Sequence, residues 1–401
     1  MTETQAPKCP YSDIFTLPSD STPSVPSPKL LALQEAGASP LLYRDGHQGL
    51  IVAQYDLAKE ILADPRFSQE PQRFPVSDLI FEDELVDERA KESAKVADLL
   101  ALDGEQHLKI RKTLTARFAL NSLKNLETEI QSQIDQVLEK FSSSKLPREL
   151  HEFYSEPISV LMHSLLLGIP SECQQEYASL YTGDSSAQTK WNFVRNLLEL
   201  KKLNLADDLL SDLIASELTP LELEGITFVL LISGRDSIAY FITTSAVNIL
   251  SLPDGVSTFL EAIEKSPIVI EELLRFGSMF ISLFPRTATE NLTIQGLDIA
   301  AGTSVSVSQV AANRDPRRFS NPDTLNLGNI AAGHLSFSHG IHACVGQQFA
   351  RIVLRKSLGS LFLAFPDMEL ISAEQNTPMH FAHPVAVYEA GKVLVGLDVA
   401  Q

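Results

Sequence analysis

A glycine-bracketed cysteine is the feature of this sequence that most directly suggests chemistry. Cys344 lies between Gly340 and Gly346, just ahead of a segment whose apolar residues have helical spacing. A thiolate at a helix start would accept hydrogen bonds from free backbone amides, and the positive end of the helix dipole would favour its ionised form. This is the environment of a metal ligand. The alternative is an inert buried cysteine, the usual role of a lone cysteine.

A second group of polar residues interrupts an apolar helix. The segment from Pro220 to about Leu250 is apolar on nearly every face, yet it contains the run Ser-Gly-Arg-Asp-Ser that begins at Ser233. Burial penalises an acid and a hydroxyl in such a place. One interpretation is a kink in which a serine bonds the carbonyl four residues earlier. The other is a functional acid and alcohol at Asp236 and Ser237.

The cysteine segment resembles the signature of the cytochrome P450 family. It matches the pattern Phe-x-x-Gly-x-(Arg/His)-x-Cys-x-Gly-x-x-x-Ala at every defined position, beginning at Phe337. The resemblance implies that Cys344 is the axial thiolate of a b-type haem, that Phe337 packs beside it and that His342 contacts a haem propionate. Gly346 belongs to the same cofactor site. Thiolate ligation favours cleavage of the O–O bond in this class of protein.

Three further motifs resemble the family in the expected order. Glu272 and Arg275 match its Glu-x-x-Arg element, which implies a structural ion pair. His107 and Arg111 share a helix face and are similar to its propionate-binding His-x-x-x-Arg motif. Arg286 matches the arginine that binds the other propionate, and buried carboxylates need such charge-assisted partners. The resemblance therefore spans nearly the whole chain.

The same resemblance implies a functional role for the interrupted helix. Asp236 and Ser237 match the acid and alcohol that relay protons to dioxygen, and we predict them as catalytic residues. Ser237 replaces the usual threonine and lacks the methyl group that fixes χ1, and Ser233 stands where a smaller residue is usual. These departures leave hydroxylation and oxidative coupling both open. Arg235 is expected to pair with solvent or with Asp236.

The substrate pocket is assigned only by region, because substrate contacts in this family come from variable segments. The matching segments are mostly bulky and apolar, and they include the helical stretch around Trp191 and Phe193. They predict a medium-sized hydrophobic or aromatic substrate. The residues predicted to line the pocket are Phe81, Ile232, Ser233, Phe280, Ile281, Leu283 and Phe381.

Helices must position most of these residues. Apolar residues have helical spacing from Leu30 to about Leu274, apart from a strand-like run at Leu50 to Ala53. Alternation of β-branched residues, which is typical of strands, appears only later in the chain. The predicted fold is mainly α with small β-sheets. By the resemblance it is a cytochrome P450-like single large domain, residues 29–401, built around the long central helix and a haem. Residues 1–28 are predicted as an extended N-terminal lead-in.

Composition and charge limit the partners and the cellular location that we expect for the protein. The 401 residues are 44% hydrophobic and carry a net charge of −19, which would repel nucleic acid and anionic membranes. The three cysteines are too far apart for a zinc cluster or a disulfide framework. No stretch reads as a signal peptide or as a membrane span. We therefore expect a cytoplasmic protein, and the family resemblance implies a monomer.

The resemblance also implies redox partners. Soluble bacterial-type members take electrons, ultimately from NAD(P)H, through a ferredoxin and a ferredoxin reductase. A chain this acidic would repel an acidic ferredoxin unless the cysteine side were locally basic. The residues predicted to form that basic patch are Lys109, Arg111, Lys112, Arg351, Arg355 and Lys356.

Three functional classes compete. An O2-using monooxygenase of secondary metabolism is favoured, because the thiolate, propionate and relay residues are all present. A peroxygenase that uses H2O2 directly is the nearer alternative, although such relatives usually lack the acid and alcohol pair. A non-catalytic haem-thiolate sensor is the third, and it would need neither a relay nor an open apolar pocket.

Overall fold

Helices dominate this computed structural model, which describes residues 18, 20–43, 47–70, 86–182, 185–374, 379–380 and 385–397. A π-helical turn at His151–Ser155 leads into α6, and a 3-10 turn at Gly340–His342 precedes the cysteine. The α-helices are α1 (Pro28–Ala36), α2 (Tyr55–Ala63), α3 (Glu88–Ala97), α4 (Gly104–Thr115), α5 (Leu120–Ser142), α6 (Glu156–Leu167), α7 (Ser171–Thr182), α8 (Ala187–Leu203), α9 (Leu209–Ile214), α10 (Pro220–Ile232), α11 (Arg235–Leu250), α12 (Gly255–Lys265), α13 (Val269–Phe276), α14 (Gln309–Ala312) and α15 (Gln347–Ala364).

Short strands form small sheets at the edge of the helical body. Within the described residues, one sheet has the strand order β1-β2-β9-β6-β3, and the others are β10-β13-β4, β11-β12-β5 and β7-β8. The strands are β1 (Ala38–Leu42), β2 (Gln48–Val52), β3 (Phe67–Ser68), β4 (Arg148–Glu149), β5 (Phe280–Ser282), β6 (Arg286–Ala288), β7 (Leu292–Ile294), β8 (Leu297–Ile299), β9 (Ser304–Val307), β10 (Met368–Glu374), β11 (Met379–His380), β12 (Ala386–Val387) and β13 (Lys392–Leu397). The predicted fold class, mainly α with small sheets, is confirmed.

The predicted central helix is two helices. α10 begins with the capping box that the Thr-x-x-Glu pattern predicts, because Thr219 and Glu222 bond each other's backbone amides. It ends at Ile232, and α11 begins at Arg235 after a glycine with a φ of 91°. The expectation of one continuous helix is therefore wrong. The alternative of a kink is confirmed, since Ser233 Oγ donates to the carbonyl of Val229, four residues earlier, at 2.7 Å.

The two central helices lie inside the protein. All but the ends of α10 are buried, as are nearly all residues of α11. The segment Pro220–Leu250 is long and apolar enough to cross a membrane by composition, but 72% of its most apolar window is buried within the protein. That burial is typical of a core helix. α11 packs against both α6 and α15, and α15 is the helix that follows the cysteine segment.

The two ends of the chain differ from expectation in detail. Part of the predicted lead-in packs onto the body, because Ser21 is buried against the Tyr388 hydroxyl and Ser24 Oγ donates to Asn248 at 2.6 Å. The segment from Tyr388 to Val399 has the pattern of a returning strand, but the strand β13 begins only at Lys392. Tyr388 instead donates its backbone amide to Met279, outside the β10–β13 ladder.

Candidate functional site

The cysteine segment folds as a tight loop that ends at α15. The amide of Cys344 donates to the carbonyl of Phe337 at 2.8 Å. Gly340 has a φ of 76°, and a Cβ at this position would lie 2.5 Å from the carbonyl oxygen of Leu62. Only glycine satisfies both the backbone angle and the close approach. The loop therefore presents Cys344 just before α15 begins at Gln347.

Neighbouring segments partly desolvate the cysteine sulfur. The side chain is exposed, yet surrounding protein is dense enough that burial raises the pKa of the Cys344 thiol. The Gly346 amide, Arg111 and Arg351 oppose this increase with smaller effects. For the free thiol, desolvation outweighs the amide and the nearby cations. Binding to a metal cation would supply the missing stabilisation of a thiolate.

Phe337 is held against the base of α15. The Arg351 guanidinium lies 4.6 Å from the centre of the Phe337 ring. It also makes two hydrogen bonds to Glu271, at 2.6 and 2.8 Å. Although burial acts to raise the pKa of Glu271, Arg351 and His334 together lower it to about 2. Arg351 thus fixes the loop and faces inward.

Helix α4 reaches the cysteine loop with two side chains one turn apart. Arg111 donates to the carbonyl of Ala343 at 2.5 Å. The His107 ring lies 4.2 Å from the ring of His342, and His107 is fully buried. The structure therefore brings together the predicted pair on α4 and the predicted histidine of the loop.

Asp103 is a residue of this site that the sequence motifs did not single out. It accepts hydrogen bonds from His342 Nε2 at 2.9 Å, from the amide of Gln69 at 2.8 Å and from the Ser68 hydroxyl. Burial acts to raise the pKa of Asp103, but these donors lower it to about 2. The sequence feature that could have identified Asp103 is its position at the N-cap of α4, four residues before His107.

Arg286 and His107 carry buried donors that lack partners among the described residues. Arg286 is 2% exposed, and only one of its guanidinium nitrogens bonds a carbonyl, that of Leu62, at 3.0 Å. Neither ring nitrogen of His107 has a partner in the described chain. Burial lowers the pKa of Arg286 to about 10 and that of His107 to about 4. Such donors could hold an anionic group, which would satisfy them.

Glu272 and Arg275 form a fully buried ion pair. The two side chains make bonds of 2.7 and 2.8 Å, and Arg275 also donates to the carbonyls of Asn313 and Pro322 at 2.9 Å. Neither side chain is exposed. The pair joins α13 to the loops that precede the cysteine segment, which is a structural arrangement.

The acid and alcohol at the start of α11 differ in their surroundings. The Asp236 side chain is 61% exposed, and an oxygen of its carboxylate lies 3.3 Å from a nitrogen of Arg235. Ser237 is half-buried, and its hydroxyl donates to the carbonyl of Gly234 at 3.2 Å. The helix break thus exposes one acid and one hydroxyl in consecutive positions.

The predicted pocket residues lie in several environments. Phe81 and Phe381 lie outside the described residues. Ile232, Ser233 and Phe280 are partly buried. Ile281 and Leu283 are buried in or beside β5. Trp191 is fully buried and stacks on Phe228 with ring centres 3.9 Å apart, so the structure places it in the core.

The predicted basic patch is largely paired with acids. Lys109 bonds Glu222 at 2.6 Å, and both Arg355 and Lys356 lie within 3.5 Å of Glu127. The patch is therefore less basic than its sequence suggests. Among the described residues there is also no cluster of three or more His, Cys, Asp or Glu side chains able to hold a metal ion, so any metal here would depend on few protein ligands.

This fold and site define a cytochrome P450, and comparisons with known proteins agree: the chain belongs to the cytochrome P450 family. The family model described as Cytochrome P450 matches residues 263–387. Cytochrome P450 105C1 from a Streptomyces species is 30% identical over 366 residues, 88% of this chain and 90% of that protein.

Two further proteins are similar over most of their length. Pentalenic acid synthase from Streptomyces avermitilis is 30% identical over 352 residues, 83% of this chain and 85% of that protein. The crystal structure of cytochrome P450 MoxA from Nonomuraea recticatena has a TM-score of 0.84 and 26% identity, and the match covers 96% of this chain and 99% of that one. The chain is thus a member of the P450 monooxygenase family with relatives in Streptomyces.

Proposed function

We propose that this protein is a haem-thiolate monooxygenase that binds haem b through Cys344. The observation that carries the proposal is the set of buried donors on His107 and Arg286 that have no partner among the described residues. Leaving a buried donor unsatisfied costs about 1–3 kcal/mol. Haem b carries two propionate carboxylates, which are the anions these donors need.

The residues of the site fit this cofactor. Cys344 would provide the sulfur ligand, with the Gly346 amide beside it. His107 and Arg286 would bind propionates, and His342 and Arg111 line the same region from the loop and from α4. Bound haem supplies the activation of O2, and a thiolate ligand favours O–O cleavage.

Asp236 and Ser237 supply the proton path in this proposal. An exposed carboxylate can take protons from solvent, and a neighbouring hydroxyl can pass them on. The Ser237 proton is donated to Gly234 O, which leaves the lone pairs of its oxygen available to accept another hydrogen bond. Serine retains the donor and acceptor chemistry of threonine, although its χ1 angle is less restricted.

The proposed substrate is a medium-sized hydrophobic or aromatic molecule of secondary metabolism. The apolar character of Ile232, Phe280 and Leu283 supports the first part. The relative named for making pentalenic acid supports the second. A ferredoxin and its reductase would deliver electrons from NAD(P)H, and the protein would work in the cytoplasm.

The oxidant distinguishes this function from its alternatives. The haem-loaded protein is screened against a panel of hydrophobic and aromatic compounds, once with NADPH, ferredoxin, reductase and O2, and once with H2O2 alone. The monooxygenase is supported if product forms in the system with NADPH, ferredoxin, reductase and O2, and if the Asp236→Asn variant forms less of it. Faster product formation from H2O2, unaffected by that replacement, would establish the peroxygenase. If a compound binds but is not converted in either system, the result favours the non-catalytic haem-thiolate sensor.

A further inference from the structure

Helix α6 presents one polar face to the break in the central helix. Glu156, Ser159 and His163 are spaced by three and four residues, so they lie along one side of α6. α6 packs against α11, and these three side chains meet the chain at or beside the break. Polar side chains in this contact are costly unless each has a partner.

Each of the three has a partner at the break. The Ser159 hydroxyl donates to the carbonyl of Arg235. The His163 ring bonds the backbone of Leu230 and lies within hydrogen-bond distance of the Tyr177 hydroxyl, whose oxygen is also 3.2 Å from the carbonyl oxygen of Leu231. The carbonyls of Leu230 and Leu231, at the end of α10, are therefore satisfied from α6 and α7.

Arg235 connects Glu156 with the relay acid. Its side chain is only 3% exposed, and one guanidinium nitrogen forms a short ion pair with Glu156. Another nitrogen lies 3.3 Å from Asp236, which is a longer contact. A guanidinium that bonds two carboxylates divides its donors between them. Glu156 thus directs Arg235 toward α6, and the contact of Arg235 with Asp236 is the longer of the two.

We propose that Glu156 is a positioning residue for the proton relay and acts through Arg235. The inference rests on the proposed relay role of Asp236. With Glu156 in place, the carboxylate of Asp236 is free to turn between solvent and Ser237. Without the charge of Glu156, Arg235 would turn to Asp236 and make the two parallel bonds that guanidinium and carboxylate prefer. The relay acid would then be trapped in an ion pair.

The test measures what fraction of the electrons from NADPH ends in H2O2 in the haem-loaded full-length protein. NADPH, a plant-type ferredoxin and its reductase reduce the protein in air, and H2O2 formed is compared with NADPH consumed. Dioxygen that takes up two electrons from one NADPH and two protons leaves as H2O2, whereas dioxygen that takes up four electrons from two NADPH and four protons gives two molecules of water. We expect Glu156→Gln to raise the peroxide yield about threefold or more and to enlarge the solvent isotope effect. Glu152→Gln, an exposed acid one turn earlier, should match wild type.

Suppression by a second substitution tests the route through Arg235. Adding Arg235→Gln to Glu156→Gln removes the cation that traps Asp236, so the peroxide yield should return toward that of Arg235→Gln alone. Glu156→Asp keeps the charge and should lie between wild type and Glu156→Gln. If the double variant remains as uncoupled as Glu156→Gln, Glu156 does not act through Arg235 and the proposal is wrong.

A spectroscopic readout separates positioning from loss of structure. The infrared stretching band of CO bound to the reduced protein reports the electric field beside the ligand, and it should move in Glu156→Gln and not in Glu152→Gln. An unmoved band and an unchanged peroxide yield would overturn the inference. Asp236→Asn identifies which claim has failed: if it too leaves the yield unchanged, the relay itself is wrong, and if it raises the yield, only the role of Glu156 is wrong.

Discussion

The Nε2 atom of His342 lies 2.9 Å from a carboxylate oxygen of Asp103. This hydrogen bond joins the cysteine loop to the start of α4, two segments more than two hundred residues apart in the chain. Because α4 also carries His107 and Arg111, the same contact sets the position of the proposed propionate ligands relative to Cys344. The site is thus assembled by contacts among its own polar residues.

Retention of haem should depend on Arg286. Arg286→Gln removes a buried cation that we assign to a propionate, and a hydrogen bond to a charged group contributes about 1.5–3 kcal/mol. Haem should therefore pass to excess haem-free myoglobin roughly ten- to hundredfold faster. Arg66→Gln is the matched control, because the Arg66 side chain is 48% exposed and pairs with Asp64 and Glu290. Equal rates for the two variants would contradict the assignment.

The buried pair Glu272–Arg275 should matter for stability. Glu272→Gln leaves the Arg275 charge buried without its partner, which should lower the free energy of unfolding by about 3–5 kcal/mol. Urea titration of the haem-loaded protein measures the change. Glu261→Gln breaks the exposed pair with Lys265 and should cost under about 0.5 kcal/mol. A similar small loss at Glu272 would argue against a structural role.

Acid should destabilise the fold through His163. Burial, with a smaller contribution from Arg235, lowers the pKa of His163 from 6.5 to about 4. Between these values the unfolded chain binds a proton that the folded protein does not, so stability is lost as pH falls from about 6.5 to 4, by up to about 3 kcal/mol. His163→Gln should flatten this part of the pH profile of the free energy of unfolding. His47→Gln serves as the control, and an equally steep profile for His163→Gln would show that His163 is not the group responsible.

Ferredoxin docking should depend on the exposed ends of Arg355 and Lys356. Changing both to glutamate places two more negative charges beside Glu127 and should slow electron transfer from an acidic ferredoxin severalfold, most strongly at low salt. Stopped-flow reduction in the presence of CO measures the rate. Lys29→Glu, on α1, is the charge control. If the double variant is reduced as fast as the control, the partner docks elsewhere.

Sequence and structure agree best where one local pattern decides the outcome. The capping box at Thr219, the serine kink at Ser233 and the buried pair Glu272–Arg275 each depend on residues within four positions of one another. The cysteine signature likewise predicts a loop that only glycine at position 340 permits. Such features follow from short-range geometry and hydrogen bonding.

Long-range partners could not be predicted from spacing. Nothing local pairs Asp103 with His342, Glu156 with Arg235, or Glu127 with Arg355, because tertiary packing brings each pair together. For that reason the sequence analysis predicted a patch with more unpaired positive charge than the structure has, and it did not identify Asp103. The raised pKa of the free Cys344 thiol could not be predicted either, because its largest cause is desolvation by surrounding segments.

The sulfur–iron bond is tested most directly by carbon monoxide. The purified protein, supplied with haem and reduced, should give on CO addition the strongly red-shifted Soret band that a thiolate-ligated haem produces. Cys344→Ala should lose this band, whereas Cys173→Ala should keep it, because Cys173 lies partly buried on α7. Haem binding without the shifted band, or a shifted band that persists in Cys344→Ala, would contradict the account.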